Sequence, residues 1–212
     1  MKRTLLLLLI TAAALTAHCR NIRDFFAAEP DDIFILVPHT ARLDMLDYYD
    51  SGQKVEMTNK LGSGTKLEYA DSCYLKIHTS ESRIVEMLML QYSKHDTILA
   101  VVETVMTPVP DSRLRFFNSN WVELSTIKPL KQMPSLSDFF LPSANKAKRN
   151  ELLERLPFTM LEMTFDGNGH NTMHVRHNLD KFLSADEYAR FKPYLKQDIS
   201  YTIKGAKFTK VK

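Results

Sequence analysis

The spacing of hydrophobic residues changes near residue 52, and this change divides the first half of the chain into elements. Apolar positions at helical spacing predict helices over residues 21–26 and 40–50, with Asp31 or Asp32 capping a further turn between them. Alternation from residue 55 to 77 predicts strands, in which Cys73 points into the core. Longer apolar runs at residues 83–91 and 97–106 predict central strands that are covered on both faces.

A proline-containing stretch at residues 129–137 separates these elements from a second set. Just before it, residues 113–117 and 121–124 predict a hairpin. After it, the pattern predicts a helix at residues 145–156, a hairpin at 158–177 with an Asp-Gly-Asn-Gly turn, a helix capped by Ser184, and a final hairpin rich in lysine. We expect these lysines to protect an exposed sheet edge against aggregation.

These elements together predict an α+β fold, with antiparallel meander sheets and short helices packed on one face. Asp138-Phe139-Phe140 repeats Asp24-Phe25-Phe26, which leaves open an arrangement of two tandem helix-plus-sheet units. The predicted divisions are a signal peptide at residues 1–19, a first unit at 20–128, a linker at 129–137 and a smaller second unit at 138–212.

The N-terminus has the layout of a secretory signal peptide. Met1-Lys2-Arg3 is basic, residues 5–14 are apolar, and small residues follow. The apolar run is shorter than the ~20 residues that span a bilayer. We therefore expect an exported protein that is periplasmic or associated with the cell envelope.

The cleavage position decides the chemistry of Cys19. Cleavage after Cys19 would leave Cys73 as the one cysteine of the mature chain, whereas earlier cleavage would permit a Cys19–Cys73 disulfide. Acylation of Cys19 would instead create a lipid anchor. His18 precedes it where lipoproteins carry a small residue, so the lipid anchor is the less favoured alternative.

Charge and hydropathy limit the classes of partner. Removal of residues 1–19 takes away Lys2 and Arg3 and no acidic residue, so the net charge falls from +3 to +1. Nucleic-acid-binding domains usually carry a clear basic excess, so no nucleic acid is expected as a partner. No second apolar stretch predicts a transmembrane segment. The expected partner is an envelope or secreted protein.

A cluster of three histidines is the candidate metal site. On an extended strand His170 and His174 share a face, whereas His177 points to the other one. Zinc would therefore need a bend in the strand and a further ligand, such as His39 or His78. A polar strand that faces solvent is the simpler interpretation. No metal or other cofactor is predicted, with His170 and His174 as the candidates if one binds.

Other polar or aromatic residues have structural interpretations. Asp44, Asp47 and Asp50 share one helical face, and a solvated face is favoured over a calcium or acid–base site. Trp121, the single tryptophan, would anchor a partner if exposed, or join the two halves if buried against the linker, which is favoured. No phosphate loop or hydrolase signature occurs, so no catalytic residue is predicted.

Several segments resemble one bacterial family. They are Ile22-Arg23-Asp24-Phe25-Phe26, Arg42-Leu43-Asp44-Met45, Thr58-Asn59-Lys60-Leu61-Gly62, Asp111-Ser112-Arg113-Leu114-Arg115-Phe116 with Trp121 after it, and Asp138-Phe139-Phe140. Together they are similar to the Bacteroidales family called domain of unknown function 3256, over nearly the whole mature chain. The resemblance implies a Gram-negative envelope protein without a known activity. The order of elements is also similar to tandem beta-lactamase-inhibitor-protein-like units.

Two functional hypotheses follow. The first is a non-catalytic exported binding protein of the cell envelope, which the near-zero net charge and the duplicated plan favour. The second is a metal-dependent or other hydrolase that uses His170 and His174. The first is preferred because no segment of the chain carries a catalytic signature.

Overall fold

The computed structural model describes residues 21–94, 96–125, 130, 132–156 and 160–211. The predicted signal peptide and Cys19 lie outside the described residues, as do residues 129 and 131 of the predicted linker. The chain begins with helix α1 (Ile22–Ala28) and helix α2 (His39–Asp50). Both match the helical spacing of the sequence. The row formed by Asp44, Asp47 and Asp50 is exposed, as expected.

A six-stranded antiparallel sheet follows the two helices. Its strands are β1 (Glu56–Thr58), β2 (Gly64–Ala70), β3 (Tyr74–Ser80), β4 (Arg83–Gln91), β5 (Thr97–Val105) and β6 (Asp111–Phe117). They neighbour one another in chain order, so the sheet is the predicted meander. The two longest apolar runs form the interior strands β4 and β5, which are joined along their full length.

The two helices cover one face of this sheet. Phe25 and Phe26 of α1 and Met45 of α2 pack against Leu75, Met87 and other inward-facing residues of the strands. Alternation along each strand places these apolar side chains on a single face. This layer positions the N-terminal helix beside the end of β6.

A second antiparallel sheet has four strands in the order β10-β9-β8-β7. The strands are β7 (Leu161–Phe165), β8 (Thr172–His177), β9 (Asp198–Lys204) and β10 (Lys207–Lys210). Helices α3 (Lys146–Arg155), α4 (Leu179–Phe182) and α5 (Ala185–Phe191) accompany it, and the capping box at Ser184 is present. The predicted α+β class with antiparallel sheets is therefore confirmed. The lysine-rich strand β10 is an edge strand.

The second sheet packs on the other face of the first. One hydrophobic cluster includes Leu88 and Val102 of the first sheet together with Met163, Val175 and Tyr201 of the second. This core draws on residues from both sides of residues 129–137. The division into two tandem units stays a prediction.

Strand β7 is attached to the first sheet by side chains. The N–H of Leu161 donates to Oδ1 of Asp111 at 3.0 Å, that of Met163 to Oγ of Ser112 at 2.9 Å, and that of Phe165 to Oε2 of Glu86 at 2.8 Å. Every second amide of an edge strand points away from its sheet and needs a partner when it is buried. Here the first sheet supplies those partners.

Three local predictions are wrong. Residues 121–124 do not form a strand, and only an isolated bridge joins Phe117 to Glu123. Cys73 is partly exposed, because it lies in the turn before β3 rather than in the alternating strand. Asp31 and Asp32 do not cap a turn. Instead, the carboxylate of Glu29 accepts the N–H groups of residues 31 to 34.

Candidate functional site

The loop after β6 holds Trp121 in an unusual backbone conformation. Oδ1 of Asn118 accepts the N–H groups of Asn120 at 2.9 Å and Val122 at 3.0 Å, and the N–H of Trp121 donates to the carbonyl of Asn118 at 3.1 Å. Trp121 has a φ of 61°. The left-handed region is rare for a bulky residue, and such conformations are concentrated at functional sites.

The indole of Trp121 is fixed against helix α1. Its Nε1–H donates to the carbonyl of Phe25 at 3.2 Å, and its ring lies 5.3 Å from that of Phe117. The side chain is partly buried. It therefore joins the N-terminal helix to the first sheet, whereas the sequence predicted a contact between the two halves at the linker.

Trp121 lines an open cleft of about 440 Å³ between helix α1 and the loop after β6. The lining residues are Asp24, Phe25, Ala28, Pro30, Ser119, Asn120 and Trp121. Binding pockets of small ligands typically have volumes of ~300–1,000 Å³, with apolar walls and a few polar groups. This cleft has that character, because aromatic and aliphatic walls alternate with a carboxylate, a hydroxyl and an amide.

Local sequence explains how α1 presents its side of the cleft. Asn21 accepts the N–H groups of Arg23 and Asp24, and Oδ2 of Asp24 accepts the N–H of Asn21 at 3.0 Å. This reciprocal capping fixes the start of the helix. It also fixes the carboxylate of Asp24 at the rim of the cleft.

A buried ion pair holds the segment behind the cleft. The guanidinium of Arg42 is fully buried, and it donates to the carboxylate of Glu29 at 3.4 Å, to the carboxylate of Asp31 at 2.7 Å and to the carbonyl of Val37 at 3.1 Å. A buried charge requires such partners, since leaving it unpaired would cost several kcal/mol. Arg42 thereby links the turn that follows α1 to helix α2.

A second polar group lies where the two sheets meet at the β7–β8 turn. Nε2 of His170 is 2.5 Å from Oδ2 of Asp71, which also accepts the hydroxyl of Tyr69 at 3.2 Å. Burial alone would raise the pKa of Asp71, but hydrogen bonds from the N–H groups of Cys73 and Tyr74 and from His170 outweigh it and lower the pKa. His170 has a φ of 52°, so the left-handed residue of this turn is the histidine rather than either glycine.

The predicted histidine cluster does not assemble around one point. His170 contacts Asp71, Nδ1 of His174 lies 3.1 Å from Oγ of Ser200 on the exposed face of the second sheet, and His177 is fully buried. The opposite orientation of His177 was expected. Among the described residues, no three side chains of His, Cys, Asp or Glu gather closely enough to hold a metal ion.

Sequence reasoning singled out Trp121 but missed the residues that form the cleft with it. Asp24 and Phe25 are 96 or more positions away along the chain, and the hydrogen bond to Phe25 spans that separation. The Asn-Ser-Asn segment before Trp121 was the one local signal, because asparagine favours tight turns. It was interpreted as the middle of a hairpin.

The fold and the cleft define a two-sheet α+β protein with an aromatic-lined surface cleft. The family model described as "Protein of unknown function (DUF3256)" matches residues 14–208, so the chain belongs to that family, as its sequence segments predicted. The similarity of its element order to beta-lactamase-inhibitor-protein-like units stays a prediction.

Comparison with other proteins gives the fold alone. The chain is similar to a solved structure described as a domain of an uncharacterized protein from Porphyromonas gingivalis W83, with a TM-score of 0.75 and 22% identity, over 90% of this chain and 97% of that chain. None of the curated proteins matches the chain. Among the helices that the structure describes, none has the length and apolar character to cross a membrane.

Proposed function

We propose that the chain is an exported, non-catalytic binding protein of the Gram-negative cell envelope, and that its Trp121 cleft receives another envelope or secreted protein. The observation that carries this proposal is the backbone of Trp121. A large aromatic residue is held at positive φ by the Asn118 turn, and its indole lines an open cleft.

The preorganisation of Trp121 lowers the entropic cost of binding. Aromatic side chains that are fixed before binding lose little conformational entropy when a partner arrives, and tryptophan is enriched among residues that dominate interface energies. Trp121 is fixed by its Nε1–H bond to Phe25 and by its contact with Phe117. These two contacts offset the strain in the backbone of Trp121, and they also form one wall of the cleft.

Localisation is part of the proposal. The basic start and the apolar run at residues 5–14 support export. The Gram-negative envelope is what the resemblance to a Bacteroidales family implies. The cleavage position decides whether Cys19 is removed, is retained as a thiol or becomes a lipid anchor, and the intact mass of the protein from its native envelope would distinguish these outcomes.

Capture of partners by cross-linking in the native envelope, followed by mass spectrometry, tests the proposal. Asn120→Arg blocks the cleft, because the Asn120 side chain is exposed and its main-chain N–H alone supports the Asn118 turn. Asn150→Arg on the exposed surface of α3 is the matched control. We expect a partner with the wild type and with Asn150→Arg, and its loss with Asn120→Arg.

Two results would contradict the proposal. One is capture that is unchanged by Asn120→Arg. The other is a catalytic turnover that belongs to the purified protein and disappears when a single polar residue is changed.

A further inference from the structure

The charged side chain that lines the Trp121 cleft is acidic. Among the residues that line it, Asp24 carries the charged side chain, and Lys, Arg and His do not occur. The carboxylate of Asp24 is exposed and is held in place by the N–H of Asn21. A fixed carboxylate at the rim favours a positively charged group over an anion.

The indole of Trp121 supplies the second contribution. Tryptophan has the best aromatic face for a cation, and arginine is the cation most often placed over it. The same type of contact recurs nearby in this molecule, where the guanidinium of Arg115 lies 5.0 Å from the ring centre of Phe117. Phe117 is the ring on which Trp121 packs.

We propose that the cleft binds an arginine or lysine side chain on an exposed segment of the partner protein. This inference rests on the proposed function, in which the Trp121 cleft is the binding site. The carboxylate of Asp24 pairs with the cation, the indole of Trp121 covers it, and the amide of Asn120 is placed to bond the adjoining main chain.

Nuclear magnetic resonance with short peptides tests the ligand class. The chain has a single tryptophan, so its indole N–H gives one signal, and that group lies at the wall of the cleft. The probes are acetyl-Gly-Arg-Gly-amide and the matched acetyl-Gly-Glu-Gly-amide. We expect a saturable shift of the indole signal with the arginine peptide, a weaker effect at high salt, and no shift with the glutamate peptide.

Two charge-removing variants locate the interaction. Asp24→Asn keeps an oxygen that can accept the N–H of Asn21, so the helix cap survives while the charge is lost. It should weaken binding of the arginine peptide about two- to fivefold, which is typical of an exposed ion pair. Asp44→Asn removes an exposed carboxylate of α2 outside the cleft and should leave the affinity unchanged.

The inference is overturned if the indole signal does not respond to the arginine peptide, or responds equally to the glutamate peptide. A shift with the neutral sugar chitotriose and none with the arginine peptide would overturn it in favour of a saccharide. In each case, the proposed function would still hold if Asn120→Arg abolishes cross-linked capture of the partner. Capture that is unchanged by Asn120→Arg would contradict the inference and the proposed function together.

Discussion

At the scale of single residues, the buried carboxyl group of Glu86 forms hydrogen bonds that connect the two sheets. Glu86 is 2% exposed, and its Oε2 accepts the hydroxyl of Tyr74 at 2.9 Å and the N–H of Phe165 at 2.8 Å. Burial raises the pKa of Glu86, and the two hydrogen bonds only partly oppose this. The side chain thus joins the two sheets at an electrostatic cost.

Replacing Glu86 by glutamine should change the pH dependence of stability. The folded pKa of Glu86 is raised, so its favourable contribution is complete below the unfolded value of about 4.3 and is lost as the pH rises through the folded pKa. The free energy of unfolding of the wild type, relative to Glu86→Gln, should therefore fall over that window. Urea unfolding at a series of pH values measures it.

The control for this prediction is Glu81→Gln. Glu81 is exposed in the turn between β3 and β4, so its replacement removes one carboxylate and none of the contacts of Glu86. Equal pH profiles for the two variants would contradict the prediction. A profile for Glu86→Gln that runs parallel to the wild type would show that Glu86 has the same pKa in both states.

At the scale of elements, the attachment of strand β7 depends on side chains that stand in for a neighbouring strand. The hydroxyl of Ser112 accepts the N–H of Met163 and lies 2.8 Å from that of Thr104. An edge strand that is paired in this way needs no further β partner on that side. The second sheet can consequently lie across the first without joining it.

Ser112→Ala should loosen β7 at one position. The N–H of Met163 would lose its acceptor, and an unsatisfied buried donor costs about 1–3 kcal/mol. We expect a loss of that size in the free energy of unfolding and faster hydrogen exchange at the Met163 amide. Ser200→Ala is the control, since the Ser200 hydroxyl contacts His174 on the exposed face. Equal effects of the two variants would contradict the assigned role of Ser112.

At the scale of the whole molecule, the two sheets are joined at several separate contacts. The ring of Phe208 on β10 lies 5.9 Å from that of Phe116 on β6, and the β7–β8 turn reaches the first sheet through His170 and Asp71. The β9–β10 turn approaches the end of β4. A Cβ added to Gly205 would lie 2.9 Å from the carbonyl oxygen of Gln91.

A comparison of Gly205→Ala with Gly62→Ala should therefore distinguish the cost of backbone strain within a turn from the cost of a contact between the two sheets. Both glycines have positive φ, at 57° and 78°, so both variants have backbone strain. Only Gly205 also meets another backbone atom, whereas nothing lies within 4 Å of a Cβ at Gly62. We expect Gly205→Ala to lose about 1–3 kcal/mol more than Gly62→Ala in urea unfolding. Equal losses in the free energy of unfolding would mean that a Cβ at residue 205 does not clash with the carbonyl oxygen of Gln91.

The sequence predicts correctly those features that depend only on residues within a single helix or strand. Residues 83–91 were predicted as a strand and form β4 with those bounds, and the capping box predicted at Ser184 is present. Both features depend on interactions between residues a few positions apart, namely alternation along a strand and reciprocal hydrogen bonds in the first turn of a helix. The meander followed from the short turns.

Predictions from local sequence are wrong where a backbone N–H group has two possible hydrogen-bond acceptors. Asp31 and Asp32 have the composition of a helix cap, but the carboxylate of Glu29 takes the amides that they would have bound. Cys73 continues the alternating pattern of its strand, yet Oδ1 of Asp71 accepts the N–H of Cys73 at 2.7 Å. This bond forms a turn that takes Cys73 out of the strand.

The sequence by itself determined the fold class, the order of the elements and the family, because periodicity, turn residues and caps act over a few positions. Only the tertiary structure decided which surfaces meet. The contacts of Trp121 with Phe25 and of His170 with Asp71 join residues 96 and 99 positions apart. Such pairs are selected when whole faces bury their apolar area, and the free energy of that burial depends on the assembled layers rather than on any local pattern.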